Sequence, residues 1–346
     1  MKYPLLSELP DLVSRKMISA RRHATLPLTI YNYTVASQMT PLTQWTEAMK
    51  DCRGLILDDD GEVIGRPFRK FWNASQYQEI GLPTGEFNVW EKVDGSLGIL
   101  CGYRGELVCA TRGSFESDQA KWFRDWIWRK HGDLTPSGET YLLEIVYPGN
   151  RIVVDYGKRE EAVLLSVMSP DGVDLWNLFD STTRFTKARR FDGISDFSTI
   201  NSDPRFAGEE GFVLQWPDGF RAKCKLEEYV RIHRLITSCS TRTIWELLRT
   251  GAGIQELVAR VPVEFEDWVA LTAGGLNADF ERVSMAAMAA FNRAQFDSRK
   301  DFAMWAVKQD NPMLLFALLD GKDIGAATWK LVEPKWATPF RKDIDA

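Results

Sequence analysis

Histidine is scarce in this 346-residue chain, and cysteine is sparse and scattered. The three histidines, His23, His131 and His233, stand far apart. No His-rich metal centre forms from neighbours in sequence, so each reads as an ordinary surface or packing residue. The five cysteines, Cys52, Cys101, Cys109, Cys224 and Cys239, are odd in number and include no CxxC pair. That pattern excludes a disulfide framework and a structural zinc, and leaves reduced thiols in or near the core. No stretch approaches the roughly 18 uninterrupted apolar residues of a membrane span. The N-terminal MKYPLLSELPDLVSRK has no apolar core of signal-peptide length, so the expectation is a cytoplasmic protein without a membrane partner. A P-loop kinase is excluded because no GxxxxGK(S/T) motif occurs. Internal repeats and low-complexity tracts are absent as well, which leaves ordinary globular domains.

What is present fits two such domains: 45% hydrophobic residues, 26% charged residues and 13 tryptophans supply enough apolar volume for one large core or two ordinary ones. A formal charge of −5 gives no global attraction to nucleic acid; the basic clusters RKMISARRH at 15–23 and KARR at 187–190 read singly as solvated patches. Strand signals crowd the first two thirds. CRGLILDDDGEVIGRPF breaks at Asp59, Asp60 and Gly61, LGILCGYRGELVCAT breaks at Arg104 and Gly105, and EGFVLQWPDGFRAKCKL pivots on Pro-Asp-Gly, each a hairpin pattern. Helical pieces intervene, notably SDQAKWFRDWIWRKHG, whose Trp122, Trp126 and Trp128 read as packing rather than base-stacking residues. The most loop-like stretch is 195–210.

Beyond about residue 240 strand alternation stops. Thr243 to Glu246 spells a capping box, Gly251 and Gly253 can end that helix, Asn311-Pro312 opens another, and Pro334 stops the last. The expected fold is therefore α+β: a mixed, largely antiparallel domain over 1–238 followed by a small all-helical domain over 239–346.

The stretch VWEKVDGSLGIL at 89–100 mixes strand-forming apolar residues with charge. A period of two places Trp90, Lys92 and Asp94 on one face, with Glu91 and Val93 on the other. A lysine at a strand end before Gly95 projects its amine into a cleft, and it becomes a nucleophile only when burial beside other cations makes it neutral. Lys223 and Lys225, two apart on a predicted strand, also share a face. Such a pair suits a triphosphate and would depress the pKa of Lys92 nearby. Glu144, inside the apolar YLLEIVYP, needs a partner if it is buried.

EKVDGS (91–96), ATRGSF (110–115), YLLEIV (141–146), EGFVL (210–214) and AKCKL (222–226) occur in an order that resembles the motifs of the covalent nucleotidyltransferases, the ATP-dependent ligases and RNA capping enzymes. CRGLIL (52–57), RPFRKFWN (66–73), EIVYPGNRIV (144–153) and the C-terminal DGKDIGAATWKLVEP look more specifically like the phage RNA ligase type 1 family. The resemblance implies a nucleotidyltransferase domain followed by a helical RNA-specificity domain. It implies an enzyme that joins 5′-phosphate and 3′-hydroxyl RNA ends through AMP carried on Lys92 and then on the RNA. By the same resemblance Lys223 and Lys225 act with Lys92 in catalysis. Glu91, Asp94, Gly95, Arg53, Lys70, Arg112, Glu144 and Glu210 belong to the nucleotide site. Glu144 and Glu210 serve the divalent metal through water; that metal is magnesium, with manganese as a substitute. A cleaved tRNA is the structured substrate such a helical domain implies, and the expected state is a monomer. The alternatives are a DNA ligase, a capping-type guanylyltransferase or a non-catalytic RNA-binding relative. The helical texture after 240, where the first two usually carry an OB-fold, speaks against them.

Overall fold

The computed structural model describes residues 1–77, 80–197, 199, 206, 208–227, 229–230, 239–258 and 263–338. The chain divides into two units, Met1–Val230 and Arg231–Ala346. The expected boundary after residue 238 borders a stretch, 231–238, outside the described residues, and half of the loop-like segment at 195–210 lies outside them too.

Three four-stranded sheets build the first unit. The first joins β1 (Ile18–Arg22), β2 (Leu28–Tyr33), β3 (Arg53–Asp58) and β4 (Val63–Gly65) in that order. β5 (Asn88–Glu91), β6 (Ser96–Tyr103), β7 (Glu106–Thr111), β8 (Thr140–Val146), β9 (Glu161–Met168), β10 (Arg190–Phe191), β11 (Gly211–Gln215) and β12 (Arg221–Lys225) make the other two, ordered β7-β6-β8-β9 and β10-β5-β11-β12. All pairings between these strands are antiparallel. The short helices α1 (Leu9–Ser14), α2 (Val35–Gln38) and α3 (Glu47–Asp51) accompany the first sheet.

The hairpins form where the turn residues require. Asp58 accepts hydrogen bonds from the N–H groups of Asp60 and Glu62, curling the β3–β4 turn. Arg104 and Gly105 both adopt positive φ (51° and 84°) in the two-residue β6–β7 turn, whose twist matches that of the flanking strands. Period-two alternation divides the β7-β6-β8-β9 sheet between two cores. Leu97, Ile99, Cys101 and Leu142 face Leu28, Ile30 and Ile56 of the first sheet. Leu100, Leu143, Ile145 and Leu164 face Phe123, Trp126 and Ile127 of α4 (Asp118–His131) and Phe179 of α5 (Trp176–Ser181). Trp122 stacks on Tyr147 (4.5 Å) and Trp126 (6.2 Å), so both act as packing residues, whereas Trp128 is exposed. All five cysteines are free, and every one but Cys224 is buried.

The second unit is helical throughout its described elements: α6 (Thr241–Thr250), α7 (Gln255–Val258), α8 (Val263–Arg293), α9 (Arg299–Ala306), α10 (Pro312–Leu319) and α11 (Gly325–Leu331). Ser240 caps α6, its hydroxyl accepting the N–H of Thr243, so the helix begins three residues before the expected capping box. Gly251 ends it in the left-handed conformation, as expected. Val269, Ala273, Leu276 and Ala287 form the buried stripe of α8, and Ala287 packs with Leu314 and Ile324. No described helix is long and apolar enough to cross a membrane.

Candidate active site

Three neighbouring strands deliver their functional residues at one level. The register pairs Phe212 with Glu91 and Gly211 with Lys225. Lys92, one residue past β5, donates its backbone N–H to the Gly211 carbonyl at 2.9 Å. Glu210, one residue before β11, therefore stands between two amines: it pairs with the Lys92 ammonium and lies 3.0 Å from that of Lys225. Gly211 makes this crossing possible. Its φ is +148°, and a Cβ there would meet the Cys224 carbonyl oxygen at 2.3 Å.

Lys92 opens onto a cleft with charged and apolar walls. Arg53, Glu144, Arg221 and Lys223 supply its other charges besides Glu91, and Trp90, Val93, Leu165, Trp176, Ala188 and Val213 its apolar walls. The backbone N–H of Lys223 donates to the Trp72 carbonyl (2.9 Å), which ties β12 to the RKFWN segment and brings Lys70 and Phe71 alongside. Arg112 donates to the Tyr33 hydroxyl at 2.9 Å. The Lys70 ammonium sits over the rings of Tyr33, Trp45 and Trp72 at 5.0, 5.7 and 5.6 Å, a favourable seat for a cation. Arg53 is packed over Phe71 at 5.5 Å, and its buried Nη1 has no partner among the described residues.

This concentration of positive charge, together with burial, shifts several of these groups. Burial, with Arg53, Lys70, Lys92 and Lys225 around it, pushes the Lys223 amine down to about 6. Burial lowers Lys70 as well, with Arg53 and Arg112 adding to the effect. Burial would raise the Tyr33 phenol, but Arg53, Arg112 and Lys70 together hold it below its ordinary value. Lys92 behaves in the opposite sense to the expectation. Burial pulls its pKa down, yet Glu210 and Glu144 outweigh it and the value is raised. The depression expected of Lys92 falls on Lys223 instead, because Glu210 pairs with Lys92 and Lys225 but not with Lys223. Glu210 stays ionised against burial through the same two amines. Glu144, whose side chain has neither ion-pair nor hydrogen-bond partner among the described residues, is driven up to about 8 by burial, with Glu210 adding to the rise.

Asp94 requires a further correction. The strand parity that put it beside Lys92 does not extend so far, because β5 ends at Glu91. Its carboxylate accepts the N–H groups of Val153 and Val154 (2.8 and 2.9 Å) and the Tyr229 hydroxyl (2.8 Å), so it anchors the 153–154 loop. Gly95 allows close packing: a Cβ there would meet the Ile145 carbonyl oxygen at 2.4 Å. The Glu91 carboxylate is likewise engaged, by Arg189. Tyr33, Arg221 and the Trp90–Trp176 pair, stacked 5.5 Å apart and 4° from parallel, went unnoticed in the sequence. Nothing local distinguishes them from other core aromatics or surface arginines.

A family model described as RNA ligase matches residues 51–229. Among solved structures, an Aquifex aeolicus protein assigned as an ATP-dependent DNA ligase is 15% identical, with 92% of this chain and 88% of that chain covered and a TM-score of 0.46. An archaeal ATP-dependent RNA ligase is 16% identical over 78% of this chain and 75% of its own, TM-score 0.46. A mutant Naegleria gruberi RNA ligase with ATP and Mn is 15% identical over 43% and 51%, TM-score 0.35. No curated relative matches the chain.

Proposed function

The chain belongs to the RNA ligase family, and from that premise we propose that it is an ATP-dependent enzyme joining 5′-phosphate to 3′-hydroxyl RNA ends. The observation that carries the reading is the ion pair shared by Lys92, Glu210 and Lys225 at a cleft also lined by Arg53 and Lys223. Lys92, once its ammonium has given up a proton to solvent, attacks the α-phosphorus of ATP; the Nζ–P bond forms, the bond to pyrophosphate breaks, and the nitrogen loses its second proton to solvent. AMP then passes to the RNA 5′-phosphate, and the 3′-hydroxyl displaces it. Each step is an in-line substitution at phosphorus, so the protein supplies orientation and charge compensation. Lys225 compensates the α-phosphoryl charge, joined by Lys223 once the bound triphosphate restores its proton, while Arg53, Lys70 and Arg112 take the other phosphates. Trp90, Val93 and Leu165 are the apolar surfaces available to the adenine.

Among the described residues no group of three or more His, Cys, Asp or Glu could hold a metal alone. Two carboxylates, Glu144 and Glu210, fit a hydrated magnesium or manganese ion whose shell is completed by water and phosphate oxygens. When bound, the ion would neutralise charge on those oxygens. Residues 1–238 carry this chemistry in our reading and 239–346 select the RNA, with a cleaved tRNA as substrate and a cytoplasmic monomer as the working form.

The test is joining itself. Wild-type protein with ATP and magnesium should join 5′-phosphate RNA, and Lys92→Ala should not; the variant should still seal a strand adenylated chemically beforehand, because that step uses no lysine nucleophile. Failure of the wild type to join, or normal joining by Lys92→Ala, would overturn the reading.

A further inference from the structure

We infer that Arg189 is a positioning residue whose guanidinium, spanning from Glu91 to Glu209, holds Lys92 against Glu210. The inference rests on the reading of Lys92 as the nucleophile. Glu91 and Glu209 directly precede Lys92 and Glu210 on chain segments that meet at the β5–β11 pairing. Arg189 Nε donates to Glu91 Oε2 at 3.0 Å, and the Arg189 backbone N–H donates to the same oxygen at 3.2 Å. The Glu91 N–H returns a bond to the Arg189 carbonyl at 2.8 Å. Nη2 of the same guanidinium pairs with Glu209 Oε1. One rigid fork therefore grips both residues that lead into the reacting pair, a task its fixed donor geometry suits and a flexible lysine could not perform alone.

The local backbone makes Arg189 a junction as well. Lys187 forms a parallel bridge with Leu164, and the Ala188 N–H donates to the Leu164 carbonyl at 2.8 Å, so the chain just before Arg189 belongs with β9. One residue after it, Arg190 and Phe191 pair with Trp90 and Val89 of β5. Arg189 thus lies where the chain crosses from the sheet bearing Glu144 to the sheet bearing Lys92. Glu91 is only 8% exposed, so losing the fork would leave a buried carboxylate short of donors, free to shift with the strand end it terminates. The other members of the KARR cluster have local duties: Lys187 bonds the Asp180 carbonyl and Arg190 pairs with Asp192.

The test uses the full chain as wild type, Arg189→Met, Glu209→Gln and the double variant, with Lys92→Ala as the blank. Covalent uptake of α-labelled ATP is followed in single turnovers across ATP concentrations, beside sealing of a pre-adenylated RNA and thermal melting. Arg189→Met should slow maximal uptake roughly 10- to 100-fold, the scale of a misplaced reacting group. The half-saturating ATP concentration and the sealing rate should change far less. Glu209→Gln, which removes the charge from one prong, should lose part of the same rate, and the double variant should be no slower than Arg189→Met, since both changes act on one bridge. Equal rates for wild type and Arg189→Met, or losses shared by uptake and sealing with a lowered melting temperature and a normal Glu209→Gln, would overturn the inference. If the wild type itself takes up no label, the lysine reading falls and takes the inference with it; if it labels and Arg189→Met labels as fast, the inference alone falls.

Discussion

Glu210 is the residue on which the others depend, because one buried carboxylate serves two ammonium groups from neighbouring strands. Removing either lysine changes more than a charge. Lys225→Ala should slow adenylate formation roughly 10²- to 10³-fold, the cost of losing one preorganised donor to a developing charge; wild-type uptake of α-label by this variant would contradict its role. Lys223 offers a test without any substrate. Its folded-state value near 6 lies below the ordinary 10.5, so between those limits the unfolded chain binds a proton that the folded chain lacks. Stability from this group therefore rises with pH across that window, by up to about 1.4 kcal/mol per pH unit. Lys223→Met should melt above wild type near pH 6, with the difference shrinking as pH approaches 10. A difference independent of pH would mean that Lys223 keeps its proton in the fold.

At the scale of elements, the site is a consequence of strand register. Gly211 sits where β11 starts, with backbone from β12 packed against its α-carbon. Gly211→Val should separate β11 from β12, displace Glu210 and lower both the melting temperature and adenylate formation; a variant that retained both would show the crossing to be less crowded than described. Much of this element-level organisation is legible in the sequence. Asp59-Asp60-Gly61, Arg104-Gly105 and Pro217-Asp218-Gly219 mark their hairpins because only certain residues tolerate those turns, and period-two apolar runs separate the two cores. The lysines and glutamates were legible through motif order. What sequence withheld was cross-strand. That β5 ends at Glu91, turning Asp94 toward Val153 and Val154, depends on a loop some 60 positions away, and burial depresses Lys223 rather than Lys92 because Glu210 pairs with Lys92 and Lys225 and not with Lys223. Trp90 and Trp176 meet only through the fold, so their spacing along the chain carried no signal.

At the scale of the whole molecule, charged groups assigned to nucleotide chemistry all lie in the first unit, Met1–Val230, whereas the second is a set of helices around its own small cores. In our reading a protein ending near Ser240 should still take up AMP but lose its preference for a nicked tRNA-like stem-loop over a plain single strand. Joining rates of the full-length and truncated proteins on both RNAs check this, and an unchanged ratio would remove substrate choice from the helical unit. The most direct test of the central claim, that Lys92 is the nucleophile of an AMP-transferring RNA ligase, is to incubate full-length protein with α-labelled ATP and magnesium and to separate it under denaturing conditions. The account predicts label on the wild type, released by acid but not by mild alkali, and none on Lys92→Ala. Label retained by Lys92→Ala, or a wild type that stays unlabelled with ATP while labelling with GTP, would contradict it.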